Sequence, residues 1–102
     1  MNLNELAKKC HAIMKKRMEN GADISGDCLK HCSGELVEAV EARSVFRFSG
    51  FNADKRAYAH ELADIIVCVL DQAVMDGIDI QKALEETVEK NELRASGKGD
   101  KL

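Results

Sequence analysis

Proline is absent from this chain, and only 4% of its residues are aromatic. Nothing therefore obliges a helix to break mid-way, and Ala, Leu, Glu and Lys supply good helix formers throughout. No run approaches the roughly 18 apolar residues of a membrane span, so no membrane is expected as a partner. The opening residues, MNLNELAKKC, lack the charged-then-apolar order of a signal peptide, and a cytoplasmic location is the default expectation. An excess of basic charge is missing too. The formal net charge of −3 excludes a general binder of nucleic-acid polymers, whose backbone contacts need a positive surface.

Two metal motifs are also missing. Cys10, Cys28, Cys32 and Cys68 include no Cys-x-x-Cys knuckle. Cys28 and Cys32 share a helical face with His31 beside them, yet free thiols acting as small buried hydrophobes are the expectation. The Glu-x-x-His of di-iron bundles is absent, because Lys8, Cys28 and Ala57 stand three residues before His11, His31 and His60. A cysteine nucleophile lacks an activating context, and Cys10 is merely adjacent to His11. There is no internal repeat.

What is present is helical periodicity. With 102 residues, of which 45% are hydrophobic and 32% charged, the chain makes one domain with a single modest core. That domain is expected over residues 1–94, with a mobile tail over 95–102. Leu3, Leu6, Cys10, Ile13, Met14 and Met18 predict a first helix, ended by Gly21. A second is expected from Asp27 to Arg43. SVFRFSGFNAD reads as a connector, and Asn52 or Asp54 as the cap of a third helix running to about Asp76. Gly77 ends it, and Asp79 caps a fourth that reaches about Arg94. From Leu62 to Leu70 only Asp64 is charged, and apolar side chains point all round the axis. Such a helix is buried on several sides. The expected fold is an all-α bundle of about four helices whose core is completed by self-association as a homodimer or homotetramer.

Acids interrupt the two most apolar helices. At about 100° per residue, Glu35 and Glu38 lie on one side of the second helix, beside the stripe of Leu29, Cys32, Leu36, Ala39 and Val40. Glu61 and Asp64 stand in the same relation to Leu62, Ile65, Ile66 and Val69. If the two helices are antiparallel neighbours, the pairs face each other. Four carboxylates together repel and lose solvation, so each raises its pKa or recruits a cation, and oxygen donors suit Mg²⁺ or Mn²⁺. The alternative is that glutamates at this spacing simply solvate an amphipathic face. Glu41 is either a fifth member or a solvated residue, and His31 either borders the site or is an ordinary helix residue.

Glu-x-x-Glu, then 22 intervening residues, then Glu-x-x-Asp resembles the MazG-like branch of the all-α nucleoside triphosphate pyrophosphohydrolases. The likeness begins at GELVEAVEA and continues through HELADIIVCVLDQA and GIDIQKALEETVEKNELRASGK, covering about Leu29 to Lys98. It implies Glu35, Glu38, Glu61 and Asp64 as ligands of Mg²⁺ (or Mn²⁺), with Glu38 and Glu61 in catalysis. Asn91, Arg94 and Lys98 are implied at the substrate's phosphates. The implied reaction splits a (deoxy)nucleoside triphosphate between its α and β phosphates into monophosphate and pyrophosphate. Two features depart from the pattern. Many relatives carry adjacent glutamates ahead of this step, and a second alignment places His31 and Cys32 there. The register retaining Glu35 and Glu38 preserves all four acids and Ala39. Thr87 also stands where the family often has a lysine, and Lys90 lies on another face. These departures leave a second reading, a non-catalytic helical oligomer that binds nucleotide or a protein. Phe46, Phe48, Phe51 and Tyr58 are either base-stacking groups or core and subunit contacts.

Overall fold

The computed structural model of the chain describes residues 1–21 and 28–97. It contains four helices and, among the described residues, no strand: α1 (Leu3–Glu19), α2 (Cys28–Ser49), α3 (Asn52–Met75) and α4 (Ile80–Ala95). The all-α expectation and the helix count stand. The start expected for α2 at Asp27, and the tail from residue 98 onward, fall outside the described residues.

α1 begins at Asn2, whose side chain accepts from the Glu5 N–H at 2.9 Å and so satisfies one of the free donors of the first turn. α3 ends as the glycine predicts. Gly77 takes a positive φ of 67°, its N–H bonds the Val74 carbonyl, and the Ile78 N–H reaches back to Ala73. That paired closure needs a residue free to turn left-handed. Asp79 then caps α4, accepting from the Lys82 N–H at 3.0 Å.

The α2–α3 connection corrects the sequence reading. α2 does not stop at Arg43, and SVFRFSGFNAD is not a connector, because the helix continues to Ser49. Val45, Phe46 and Phe48 are only mildly unfavourable to helix, and a tertiary contact outweighs that: the Phe46 ring stacks on Tyr58 with centroids 6.4 Å apart. The obligatory break is Gly50, at φ +69°. Neither Asn52 nor Asp54 caps α3. Phe51 holds that position without a side-chain cap bond, while the Ser49 hydroxyl accepts from the Phe51 N–H and donates to Asp54. So short a link forces α2 and α3 into an antiparallel hairpin. Residues equally far from Gly50 then stand opposite one another.

α1 packs on α3, and α4 meets α1 at the N-terminal ends of the two helices. Three hydrogen bonds fasten α4: Leu3 N–H to Gln81 Oε1, Gln81 N–H to Asn4 Oδ1, and Asn4 Nδ2 to Asp79 Oδ1. The core is thin. Ala7, Ala39, Leu70 and Ala73 are its buried apolar members, and among the described residues no large side chain is fully enclosed. Asp71 is buried with them, 2.7 Å from His11 Nδ1 across the α1–α3 contact. α3 was expected to be buried on several sides, yet within one chain Leu62, Ile66 and Val69 stay exposed, as do Leu36, Val37 and Val40 of α2. No helix among the described residues is long and apolar enough to cross a membrane.

Candidate metal centre

The hairpin decides which acids meet. Glu38 on α2 and Glu61 on α3 lie within one residue of the same distance from the Gly50 turn, and Glu35 lies one helical turn beyond Glu38. One carboxylate oxygen from each of Glu35, Glu38 and Glu61 falls within 4.8 Å of the others. The charge of Glu38 acts on both Glu35 and Glu61. Carboxylates gathered this closely favour a shared proton or a cation between them.

The electrostatics agree. Lost solvation, followed by the charge of Glu38, pushes the Glu35 carboxyl above the ordinary range, with Asp64 and Glu61 adding to it. Glu61 is raised in the same way, first by lost solvation and then by Glu38 and Asp64. Glu35 Oε2 and Glu61 Oε2 are both shielded from solvent, and neither accepts a hydrogen bond. A shielded carboxylate oxygen without a donor is costly unless a cation occupies the space it faces. The donor set is entirely oxygen, on two facing helices, and it fits a hard divalent ion. Glu35, Glu38 and Glu61 are the residues able to hold one.

Asp64 takes a different place from the one its apolar surroundings suggested. It is exposed, not core, and lies outside the tightest group, although its charge acts on both Glu35 and Glu61. It flanks the centre from the next turn of α3. Glu41 is exposed and lies outside the tightest group. His31 is exposed as well.

The substrate-binding candidates are not brought to the acids within one chain. Asn91 is exposed and Arg94 half-buried, both near the end of α4, which meets α1 at its opposite end. Among the described residues, neither makes a hydrogen bond or ion pair with the four acids. Lys98 lies outside the described residues. Thr87 turns its hydroxyl onto its own helix, donating to the Ala83 carbonyl at 2.8 Å. Of the aromatic candidates, Phe46 and Tyr58 are occupied with each other, while Phe48 and Phe51 are 94% and 69% exposed.

One neighbour of the centre escaped the sequence reading. Burial pushes the Cys68 thiol up, and Cys32, Glu35 and Asp64 add to it. The signal was the equal spacing of Cys32 and Cys68 from Gly50, and it was hidden by treating eleven residues as connector. The side chain of Cys28 is outside what the structure describes.

A family model described as the MazG nucleotide pyrophosphohydrolase domain matches residues 25–97. No curated protein and no solved structure matches the chain. The matched stretch contains the whole of α2, α3 and α4, and with them every acid of the centre. Pattern, hairpin and acid geometry agree with that match: the chain belongs to the MazG nucleotide pyrophosphohydrolase family.

Proposed function

We propose that this chain hydrolyses a (deoxy)nucleoside triphosphate between the α and β phosphates, releasing monophosphate and pyrophosphate, with Mg²⁺ or Mn²⁺ held by Glu35, Glu38, Glu61 and Asp64. The family's enzymes are metal-dependent. The observation that carries the reading is the convergence of three carboxylates within 4.8 Å, two of them with a shielded oxygen lacking a donor. A bound divalent ion would offset polyphosphate charge and acidify a water molecule.

The remaining work falls to the chain's own residues. Glu35 and Glu61, half-buried on facing helices, fix the separation of the ligand oxygens. Glu38 is exposed and its charge acts on both, so we assign its carboxylate to accept the proton of an attacking water, with Glu61 orienting it. Arg94, Asn91 and Lys98 are assigned to the phosphates, where N–H donors offset charge on the departing pyrophosphate. Because α4 rests on α1, we assign these donors to a site completed in a homodimer or homotetramer. The exposed apolar side chains support that assembly: Leu36, Val37 and Val40 are 56–58% exposed on the helix that carries Glu35 and Glu38.

The test is pyrophosphate release from a panel of nucleotides with Mg²⁺, with and without chelator. Release that disappears with chelator, and in Glu61→Gln and Asp64→Asn proteins that remain folded, is the expected result. Thr87, bound to its own backbone where a phosphate-binding lysine was expected, favours a second reading as a non-catalytic oligomer that binds nucleotide or a protein. Folded, metal-binding protein that releases no pyrophosphate from any canonical or damaged nucleotide would replace the first reading by the second.

A further inference from the structure

One copy of this chain leaves too much surface in water for its mass. A folded monomer of 11.3 kDa exposes about 5,700 Å². This chain exposes 7748 Å², an excess on the order of 2,000 Å². An obligate homodimer covers about 1,000–2,500 Å² of each copy, so one partner of equal size accounts for the excess. The uncovered apolar side chains are also ordered. Leu62, Ile66 and Val69, all exposed, recur along α3 at intervals of four and three, the seam spacing of paired helices. Beside that seam runs a groove of about 320 Å³ with apolar lining throughout, between Ile66, Val69 and Leu70 of α3 and Ile80 and Leu84 of α4. Exposed Leu36 and Val40 of α2 extend the same face. Each stripe lies roughly 100° round its helix, in the same sense, from the side that meets the other helix; in antiparallel neighbours that places both on one face. Glu38 lies on the opposite side of α2, so this face is separate from the acidic centre.

The charges that end the seam select its occupant. Lys55 stands seven residues before Leu62 and Asp76 seven after Val69, and both are exposed. The seam is therefore symmetric in position about Ile66. Laid antiparallel on a second copy of itself, it sets apolar against apolar in the middle and a cation against an anion at both ends. A parallel pairing would instead bring two turn ends together, with Lys55 beside Arg47, which continues the α2 stripe seven residues after Val40. Like charges there oppose it. Among the described residues Lys55 has no ion pair within its own chain. Asp76 accepts from Gln72 Nε2 at 2.9 Å, and a carboxylate has room for further donors.

We propose that two copies of this chain pair antiparallel through α3, with Ile66 at the twofold axis, Leu62 against the partner's Val69 and Lys55 against the partner's Asp76. The contact is isologous and closes on itself, so it ends at two copies across this face. The second α3 lies along the groove between α3 and α4, where it covers Leu84. Val88 and Asn91 follow Leu84 on the same side of α4, so the residue assigned to the phosphates is turned toward the partner. That consequence alone rests on the hydrolase reading; the pairing is read from mass and needs no activity.

The test is sedimentation equilibrium of the full chain over a range of concentrations. The wild type is expected at an even multiple of 11.3 kDa. Lys55→Glu and Asp76→Lys each place like charges at both ends of the seam, and each should raise the dissociation constant about tenfold. The two substitutions together exchange the charges and should return it to the wild-type range. Both positions are exposed, so these variants leave the packing of one copy intact. Ile66→Glu puts two carboxylates at the axis and should lower the mass while circular dichroism stays helical. A wild type found as single copies, an Ile66→Glu protein that assembles like the wild type, or a double variant no tighter than either single one would overturn the proposal.

Discussion

Replacing Glu61 by Gln is expected to stabilise the metal-free protein and to remove most of its response to metal. Glu61 Oε2 is shielded and has no donor, while Glu38 and Asp64 add like charge nearby. The carboxyl of Glu61 is raised above its ordinary value, principally by lost solvation. A carboxyl raised on folding stabilises the protein fully only below the unfolded value near 4.5, and that contribution is lost as pH rises through the folded value. At pH 7 the ionised group therefore opposes folding. Gln has nearly the same shape, carries no charge, and offers Glu38 an N–H donor. With metal the sign reverses. At a hundredfold excess over the dissociation constant, a ligand specific to the folded state adds about 2.7 kcal/mol. For a domain of about 100 residues this raises Tm by roughly 10–20 °C. If Gln weakens binding a hundredfold, the same metal concentration adds only about 0.4 kcal/mol. Far-ultraviolet circular dichroism is the assay, since the chain has no tryptophan. A variant that melts below the wild type without metal, yet keeps the full metal-induced rise, would refute the idea that these carboxylates are strained against one another.

Four further outcomes follow from the same structure. Mn²⁺ affinity, measured by titration calorimetry, should strengthen as pH rises from 4.5 through the raised range of Glu35 and Glu61, because bound metal displaces the protons they retain. His11→Ala removes the 2.7 Å bond to Asp71 that joins α1 to α3, and should cost about 1.5–3 kcal/mol in urea unfolding, with metal affinity unchanged. Asp79→Ala loses both the Lys82 cap bond and the Asn4 contact, lowering Tm by about 4–8 °C at neutral pH. Those bonds hold the Asp79 carboxyl below its usual range, so its contribution is present above 3.8 and is lost as pH falls through the lowered folded value, where wild type and variant should converge. Val40→Glu places a charge in the exposed apolar stripe of α2 and should reduce the mass seen by light scattering, whereas an unchanged mass would remove that stripe from the interface.

The elements that the sequence announced most clearly were those ended by a specific residue type. Gly77 and Asp79 marked the α3–α4 turn because a left-handed backbone and a side-chain acceptor are local requirements, visible in one or two letters. The α2–α3 turn was missed because its determinants are not local. Phe46 and Tyr58 hold the last turns of α2 and the first of α3 together, and only Gly50 is forced to leave the helical conformation. Of the acids, Glu35, Glu38 and Glu61 could be placed from spacing alone, since helical periodicity fixes faces once a hairpin is assumed. Asp64 could not. Its apolar neighbours implied burial, but exposure is settled by what covers a face, and in one chain little covers this part of α3. The relation of Asn91 and Arg94 to the acids was illegible for a similar reason: the packing of α4 on α1 rests on Asn4 and Gln81, two polar residues that carry no periodic signal.

The position of the acids along the hairpin explains why their repulsion survives folding. Toward the turn, the stacked rings of Phe46 and Tyr58 pin the helices together, and Gly50 leaves no slack in the link. On the other side, α1 backs α3, with Ala7, Leu70 and Ala73 buried. Beside Glu38, Ala39 is 3% exposed, small enough to let the two backbones approach closely. The carboxylates cannot move apart to relieve their mutual charge without separating helices that are held both above and below them. The inner oxygens of Glu35 and Glu61 therefore lose solvation when the chain folds, and less reorganisation would remain for binding a cation. An acidic cluster on a free surface would spread into water and have to be gathered each time. Here the gathering is done by an alanine, an aromatic pair and a glycine, none of which belongs to the cluster itself.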